Sequence, residues 1–485
     1  MTSTPHQPMR RVSTGIQGLD VILGGGFMLG GIYIVQGAPG TGKTILSNQF
    51  CFHHVAGGQR ALYVTLLAEN HARMLDNLRQ MSFFDEERIP DQLIYLSAFK
   101  ELSEGGLPGL MQLLRREIQR RRATLLVIDG LVSVQASAAS DQDFKQFIHD
   151  LQEIALATDC TMLLTTNTPR AASPEQTMVD GLIVLTDRLH GWRAESDLQV
   201  TKFRGGAFLR GRHSYRITGA GLVLYPRIEA LYAHPTRPAP DATALTQTGL
   251  AQLDAMLGGG LPEGSTTLVM GPSGIGKTTL GLHFLAAASA GEPGLMFGFY
   301  ETPARLRVKA TRVNPALGSL FDSEAVELHW QPPTGDLLDA YGGRLLAAVE
   351  RRGVKRLFID GLSAFQGGAV DPTRAGNFFA ALANELRARG VTTVYSLEMP
   401  DFLGPVVRSP IGDASTLAEN LILLRYREDG ARLRRVISVL KVRDGEFDPH
   451  SREFELGGEG MRFSETPGGR PIAWQAAPPP TEHGA

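Results

Sequence analysis

Two short stretches of this chain combine residue types and spacing suited to holding phosphate. Gly37, Ala38, Pro39, Gly40, Thr41, Gly42, Lys43 and Thr44 fit G-x-x-x-x-G-K-[ST] in full, and so do Gly271, Pro272, Ser273, Gly274, Ile275, Gly276, Lys277 and Thr278. Glycines at these places let backbone N–H groups curl around phosphate oxygens without a Cβ in the way. Lys43 and Lys277 would reach the β- and γ-phosphates of ATP, and the hydroxyls of Thr44 and Thr278 would ligate Mg²⁺. The N-terminus of the helix that follows adds favourable dipole charge. An ordinary glycine-rich turn would account for one such match, but not for two at the same place in a repeat.

Each loop is followed by an apolar run ending in aspartate, L-L-V-I-D at Asp129 and R-L-F-I-D at Asp360. This arrangement sets a carboxylate beside Mg²⁺ at the C-terminal end of a strand. A hydrolytic site also needs a group that orients or deprotonates water. Glu69, in A-E-N-H-A-R, and Glu301, in Y-E-T-P-A-R, align at the end of the strand after the first helix and are the candidates. The plainer reading of either is a surface glutamate at a strand end.

The elements that must carry these residues come twice. S-T-G-I-Q-G-L-D-V-I-L-G-G-G, from Ser13 to Gly26, is answered by Q-T-G-L-A-Q-L-D-A-M-L-G-G-G, from Gln247 to Gly260. The same number of residues separates Gly15 from Gly249 and Lys43 from Lys277. A duplicated module is the only economical explanation. Strands are expected at Gly31–Val35, Leu125–Ile128 and Met162–Thr165, and again at Thr266–Met270, Leu357–Ile359 and Thr392–Tyr395. Phe144, Phe147, Ile148, Leu151 and Ile154 recur at helical spacing, as do Phe378, Phe379, Leu382 and Leu386. Alternation of this kind implies an α/β fold: two tandem P-loop domains, each a mostly parallel twisted sheet flanked by helices. The expected domains are 1–232 and 248–465. A Pro-rich linker is expected over 233–247, and a disordered tail over 466–485.

Composition narrows the class. With 48 Lys plus Arg against 50 Asp plus Glu, the net charge is −2, which argues against a dedicated nucleic-acid binder. Arg115, Arg116, Arg120, Arg121 and Arg122 cluster before the first aspartate strand, but Arg351, Arg352, Lys355 and Arg356 sit at the same place in the second copy. Recurrence favours a solvated helix face or a subunit contact over a DNA patch. Cys51 and Cys160 make no disulfide framework, and no Cys/His spacing suggests zinc. Residues 1–11 lack an apolar core, and no uncharged stretch is long enough to span a bilayer. A cytoplasmic protein with no secretory leader and no membrane association is the expectation.

The tandem T-G-x-x-x-L-D-x-x-L-G-G-G with its P-loop resembles the RecA-like ATPases, and more closely the circadian clock ATPase family KaiC. The resemblance runs from about Val12 to Phe463. It implies two tandem RecA-like P-loop NTPase domains and ATP bound at subunit interfaces of a homo-hexameric double ring, with the first module mainly an ATPase and the second an autokinase. The family has an adjacent glutamate pair where this chain has Ala68-Glu69 and Tyr300-Glu301, so only the second member is kept. The family's late Lys-x-Arg, which reaches the neighbour's nucleotide, corresponds to Lys202 and Arg204 in the first copy and to Lys441 and Arg443 in the second. Its Ser-Thr phosphorylation pair corresponds to Ser415 and Thr416, where the first copy has Gln176 and Thr177. The long C-terminal segment of the family has no clear counterpart, so a full circadian oscillator is not implied.

The leading expectation is an ATPase and serine/threonine autokinase that serves as a hexameric signalling or timing switch with signalling-protein partners. The alternatives are a RecA- or helicase-like DNA-stimulated motor and a non-catalytic nucleotide-sensing ring, since fold alone does not choose among them.

Overall fold

The computed structural model describes residues 10–66, 71–167, 177–240, 244–323, 325–332, 336–400, 418–443 and 445–464. Contacts divide the chain into two units at Leu231/Tyr232.

The first unit opens with a two-strand ribbon, β1 (Arg11–Val12) and β2 (Phe27–Met28). Its main sheet comprises β3 (Ile32–Gly37), β4 (Ala61–Thr65), β5 (Leu93–Ser97), β6 (Leu125–Asp129), β7 (Thr161–Thr166), β8 (Gly181–His190), β9 (Arg193–Phe203), β10 (Arg212–Thr218) and β11 (Gly221–Tyr225). The spatial order is β5-β4-β6-β7-β3-β8-β9-β10-β11. Pairing is parallel from β5 to β8 and antiparallel from β8 to β11.

The second unit repeats this plan. Its ribbon is β12 (Leu245–Thr246) with β13 (Leu261–Pro262). Its sheet comprises β14 (Thr266–Gly271), β15 (Gly294–Gly298), β16 (Val326–Trp330), β17 (Arg356–Asp360), β18 (Thr392–Glu398), β19 (Asn420–Asp429), β20 (Arg432–Val442), β21 (Arg452–Gly457) and β22 (Gly460–Phe463). The order β16-β15-β17-β18-β14-β19-β20-β21-β22 matches strand for strand. The fold is thus two tandem RecA-like domains, each with a mostly parallel sheet flanked by helices. The inner parallel strands are buried on both faces along nearly their whole length, the edge strands β5 and β16 are only partly buried, and the antiparallel strands mix buried and exposed residues.

The expected helical stripes are core stripes. Phe144, Phe147, Ile148, Leu151 and Ile154 are buried along the helix Asp141–Thr158, which starts at Ser140, whose hydroxyl caps the Asp143 amide. Phe378, Phe379, Leu382 and Leu386 are buried along Arg374–Ala388.

The repeated T-G-x-x-x-L-D motif is a structural clip. Asp20 accepts from the Thr14 amide at 2.9 Å and hydroxyl at 2.7 Å, and Asp254 accepts from Thr248 in the same way at 2.8 and 2.7 Å. Gly15 and Gly249 follow in left-handed backbone, at φ +66° and +80°. Residues from the expected linker pack on the second unit: the Thr236 amide and hydroxyl both donate to Glu385, and β12 belongs to the second ribbon. The expected tail, 466–485, lies outside the described residues. Among the described residues no helix is long and apolar enough to cross a membrane.

Candidate nucleotide sites

Both phosphate loops sit where a parallel sheet places ligands, beyond the C-terminal ends of the strands. β3 passes through the loop into the helix Lys43–Ala56, and β14 into Lys277–Ala286. Gly40 and Gly42 take φ +87° and +90°, and Gly274 and Gly276 take +74° and +121°. Space above Gly40 is open to 4 Å, whereas a Cβ at Gly271 would come 2.5 Å from the Leu424 carbonyl oxygen. Each loop is close-packed where it leaves its strand, at Gly37 and Gly271, and open at its tip, at Gly40 and Gly274.

The lysines converge on the loops. Lys43 Nζ donates to the carbonyls of Gly37 and Ala38 at 2.8 and 2.9 Å, and Lys277 Nζ to those of Gly271 and Pro272 at 2.8 and 2.7 Å. Burial lowers the pKa of both; Asp129 opposes this at Lys43, and Glu398 and Asp360 oppose it at Lys277.

The aspartates meet the loop threonines. Thr278 Oγ1 donates to Asp360 Oδ2 at 2.9 Å, and Ser396 Oγ donates to Asp360 Oδ1 at 2.6 Å. Burial raises the Asp360 pKa, opposed by those two hydrogen bonds. In the first unit Thr44 Oγ1 stands 3.5 Å from Asp129 Oδ2, and Asp129 also accepts from Thr165 and, at 2.8 Å, from the Tyr63 hydroxyl. A hydroxyl beside a carboxylate is a hard-oxygen donor set of the kind Mg²⁺ takes.

The second unit's loop opens into a cavity of about 720 Å³, lined by Lys277, Thr278, Tyr300, Glu301, Asp360 and Glu398 among others. That volume suits a nucleotide-sized ligand. Glu301 lies beyond the end of β15 at Gly298, in the turn before the helix Pro303–Val313, rather than at the strand end itself. Its Oε1 is 2.6 Å from Lys309 Nζ, one of the cavity's own lining residues. Glu69, Ser415 and Thr416 lie outside the described residues.

The Lys-x-Arg pairs are not brought to their own loops. Lys202 pairs with Leu182 near the start of β8, while the phosphate loop begins beside Leu185; Lys441 pairs likewise with Leu421 at the start of β19. They sit toward the N-terminal ends of the parallel strands, whereas the loops leave the C-terminal ends. In both units a bulge immediately precedes the lysine, at Thr201 and at Leu440, and re-aims it. Lys202 Nζ donates to the Thr177 carbonyl at 2.7 Å, joined by Arg204 at 3.1 Å, and Lys441 Nζ donates to the Ala418 carbonyl at 3.0 Å. The amide of Arg443 donates to the Glu419 carbonyl.

The basic helix faces are engaged within their units. Arg116, Arg120 and Arg121 converge on Glu117, whose side chain is 8% exposed, and Arg351 and Arg352 converge on Glu327. Arg356 is buried against Glu292 and the carbonyls of Gln247 and Phe284.

A family model for the KaiC ATPase matches the chain twice, over residues 12–229 and 246–467. The chain belongs to the KaiC family of ATPases. It is similar to the circadian clock oscillator protein KaiC of Synechococcus elongatus, at 24% identity covering 96% of this chain and 91% of that one. The KaiC of Rippkaea orientalis is 24% identical with the same coverage, and KaiC 1 of a Synechocystis species is 24% identical over 94% of this chain and 89% of its own. As a KaiC-family member the chain is a nucleotide-binding P-loop ATPase, which the paired loops and aspartates match. Within the KaiC frame, sequence reasoning missed Tyr63, Thr165, Ser396, Lys309 and Glu398. Thr165 and Ser396 recur at one place in both copies, which was the available signal; the other three occur in single copies and left none.

Proposed function

We propose that this chain is an ATP-driven autokinase and ATPase working as a ring of six copies, with ATP and Mg²⁺ at both sites. Lys43 and Lys277 neutralise the γ-phosphate, and Thr44 with Asp129, and Thr278 with Asp360, would hold Mg²⁺, which when bound offsets charge on the triphosphate. The hydroxyls of Ser415 and Thr416 accept phosphate in the second module. Glu301 is the base toward those hydroxyls, and Glu69 its counterpart toward water in the first. Lys202, Arg204, Lys441 and Arg443 act on a neighbouring copy's nucleotide, in the manner of arginine fingers. Their place near the starts of β8 and β19, away from their own loops, supports action in trans.

One observation carries the reading. Lys441 is tied to the carbonyl of Ala418, directly after the segment holding Ser415 and Thr416. Phosphate on that segment would therefore act on the backbone that anchors a cation serving the next subunit, which gives the ring a switch. The relatives' names, circadian clock oscillator proteins, support a timing role. Signalling-protein partners and a cytoplasmic location belong to the same proposal. Incubation with Mg-ATP followed by phosphopeptide mapping tests this: phosphate is expected on Ser415 or Thr416, and its absence while ATP is consumed contradicts it.

A nucleotide-sensing ring is the second reading. Tyr300 in place of the first glutamate, and the Lys309–Glu301 pair at 2.6 Å, favour slow chemistry. ATP held without cleavage would select it.

A further inference from the structure

β18 runs between β14, which feeds the second phosphate loop, and β17, which ends in Asp360. Its last residue, Glu398, stands in register with Gly271, the first residue of that loop. The Met399 amide donates to the Gly271 carbonyl at 3.0 Å and fixes the backbone there. Side chains alternate along a strand, so Glu398 shares a face with Ser396, which reaches Asp360 at 2.6 Å. Glu398 lines the same cavity as Lys277, Thr278 and Tyr300. Its charge is the largest electrostatic influence on both Lys277 and Tyr300, after burial. The carboxylate therefore faces the space over the loop.

Glu301 lines the same cavity but has one carboxylate oxygen held by Lys309. The first unit offers a contrast. Its β7 pairs with β3 through Thr166 and Gln36, which brings Asn167 to the place of Glu398. Thr165 and Ser396 occupy matching places and both donate to the aspartate, so the alignment is fixed by contact as well as by register. A neutral amide in one site thus replaces a carboxylate in the other.

We propose that Glu398 is a catalytic residue of the second site, the carboxylate that orients the water attacking ATP. The proposal rests on the ATPase half of the proposed function and extends it to water at the second site, beside the transfer to Ser415 and Thr416. The water oxygen bonds to the γ-phosphorus while its proton passes to Glu398. The bond from γ-phosphorus to the β–γ bridging oxygen breaks, and its electron pair leaves with ADP. Glu398 then releases the proton to solvent, so ATP and water give ADP, phosphate and a proton. Asn167 cannot accept that proton, and the first site has to use a different group.

The test uses the full chain with Lys43→Ala, which silences the first site. Phosphate release and binding of a fluorescent ATP analogue are measured for this parent and for added E398Q, E398A or E301Q. Glu398→Gln keeps shape and is expected to slow phosphate release about 10- to 100-fold, within the range for general acid–base groups. Analogue affinity should stay within about threefold, which separates lost chemistry from a lost fold. E301Q is expected to slow release less than E398Q does. Release by E398Q and E398A at the parental rate would overturn the assignment of Glu398 alone. A parent that binds ATP but never cleaves it would overturn the reading of the second site as an ATPase, and Glu398's role with it.

Discussion

The Tyr63 hydroxyl donates to Asp129 at 2.8 Å in the first site, whereas Met296 stands at the matching place in the second. The two sites thus share loop, lysine and aspartate but differ in what lies behind the aspartate. Tyr63 is fully buried, and desolvation together with the charge of Asp129 raises its pKa well above the usual tyrosine range, so it remains a donor at any physiological pH. Tyr95, whose ring centroid lies 5.3 Å from that of Tyr63, donates to Asn48, which in turn donates to the Thr44 carbonyl.

Tyr63→Phe should therefore loosen the first site's carboxylate without touching the second. With Lys277→Ala silencing the second site, the Mg²⁺ midpoint of ATP turnover is expected to rise about 10-fold, in line with other partners that orient a metal ligand. Titration of turnover against Mg²⁺ checks this, and an unmoved midpoint contradicts it.

The threonine–aspartate clip makes a stability prediction. Asp254→Ala strips the buried Thr248 of the acceptor for its amide and leaves its hydroxyl only the longer contact to the Leu250 carbonyl, at 3.4 Å, at an expected cost of about 2 kcal/mol. Urea unfolding should show the second unit's transition at lower denaturant, while the folded variant still binds ATP. Loss of binding in the folded variant would mean that the clip belongs to the site.

His54 sets an acid limit. Burial, with a smaller contribution from His53, holds its pKa down to about 4, and its Nε2 is 2.8 Å from the Thr124 hydroxyl. The unfolded imidazole protonates near 6.5, so between about 6.5 and 4 the unfolded chain binds more protons than the folded one. Stability is therefore complete above that window and falls through it, by up to about 3 kcal/mol. Urea midpoints measured from pH 7 to pH 4 should drop more steeply for the parent than for His54→Gln. Parallel slopes would exclude His54 as the cause.

Much of this was legible in the sequence because the pattern is local. A phosphate loop is eight consecutive residues, and an apolar run ending in Asp129 or Asp360 declares both strand and ligand. The strands found at Ile32–Gly37 and Leu125–Asp129 differ from the expected ones by a residue or two at their ends. What escaped was contact across strands. Tyr63 and Asp129 are far apart in the chain, and only the register of β4 against β6 brings them together. The Lys309–Glu301 pair depends on a helical turn folding back over the cavity, and Glu398 closes a strand that reads simply as buried. The T-G-x-x-x-L-D motif marked the repeat clearly, but its work as a clip appears only in the hydrogen bonds of Asp20 and Asp254. The antiparallel strands β9–β11 and β20–β22 alternate apolar and polar residues weakly, and the parallel core outweighed them in the reading.

The most direct test of the central claim follows phosphate into the chain. Parent, Lys43→Ala and Lys277→Ala proteins are incubated with Mg-ATP, and their phosphopeptides are mapped by mass spectrometry. The account predicts phosphate on Ser415 or Thr416 in the parent and in Lys43→Ala, and none in Lys277→Ala. Full incorporation in Lys277→Ala, or none in a parent that consumes ATP, would contradict it.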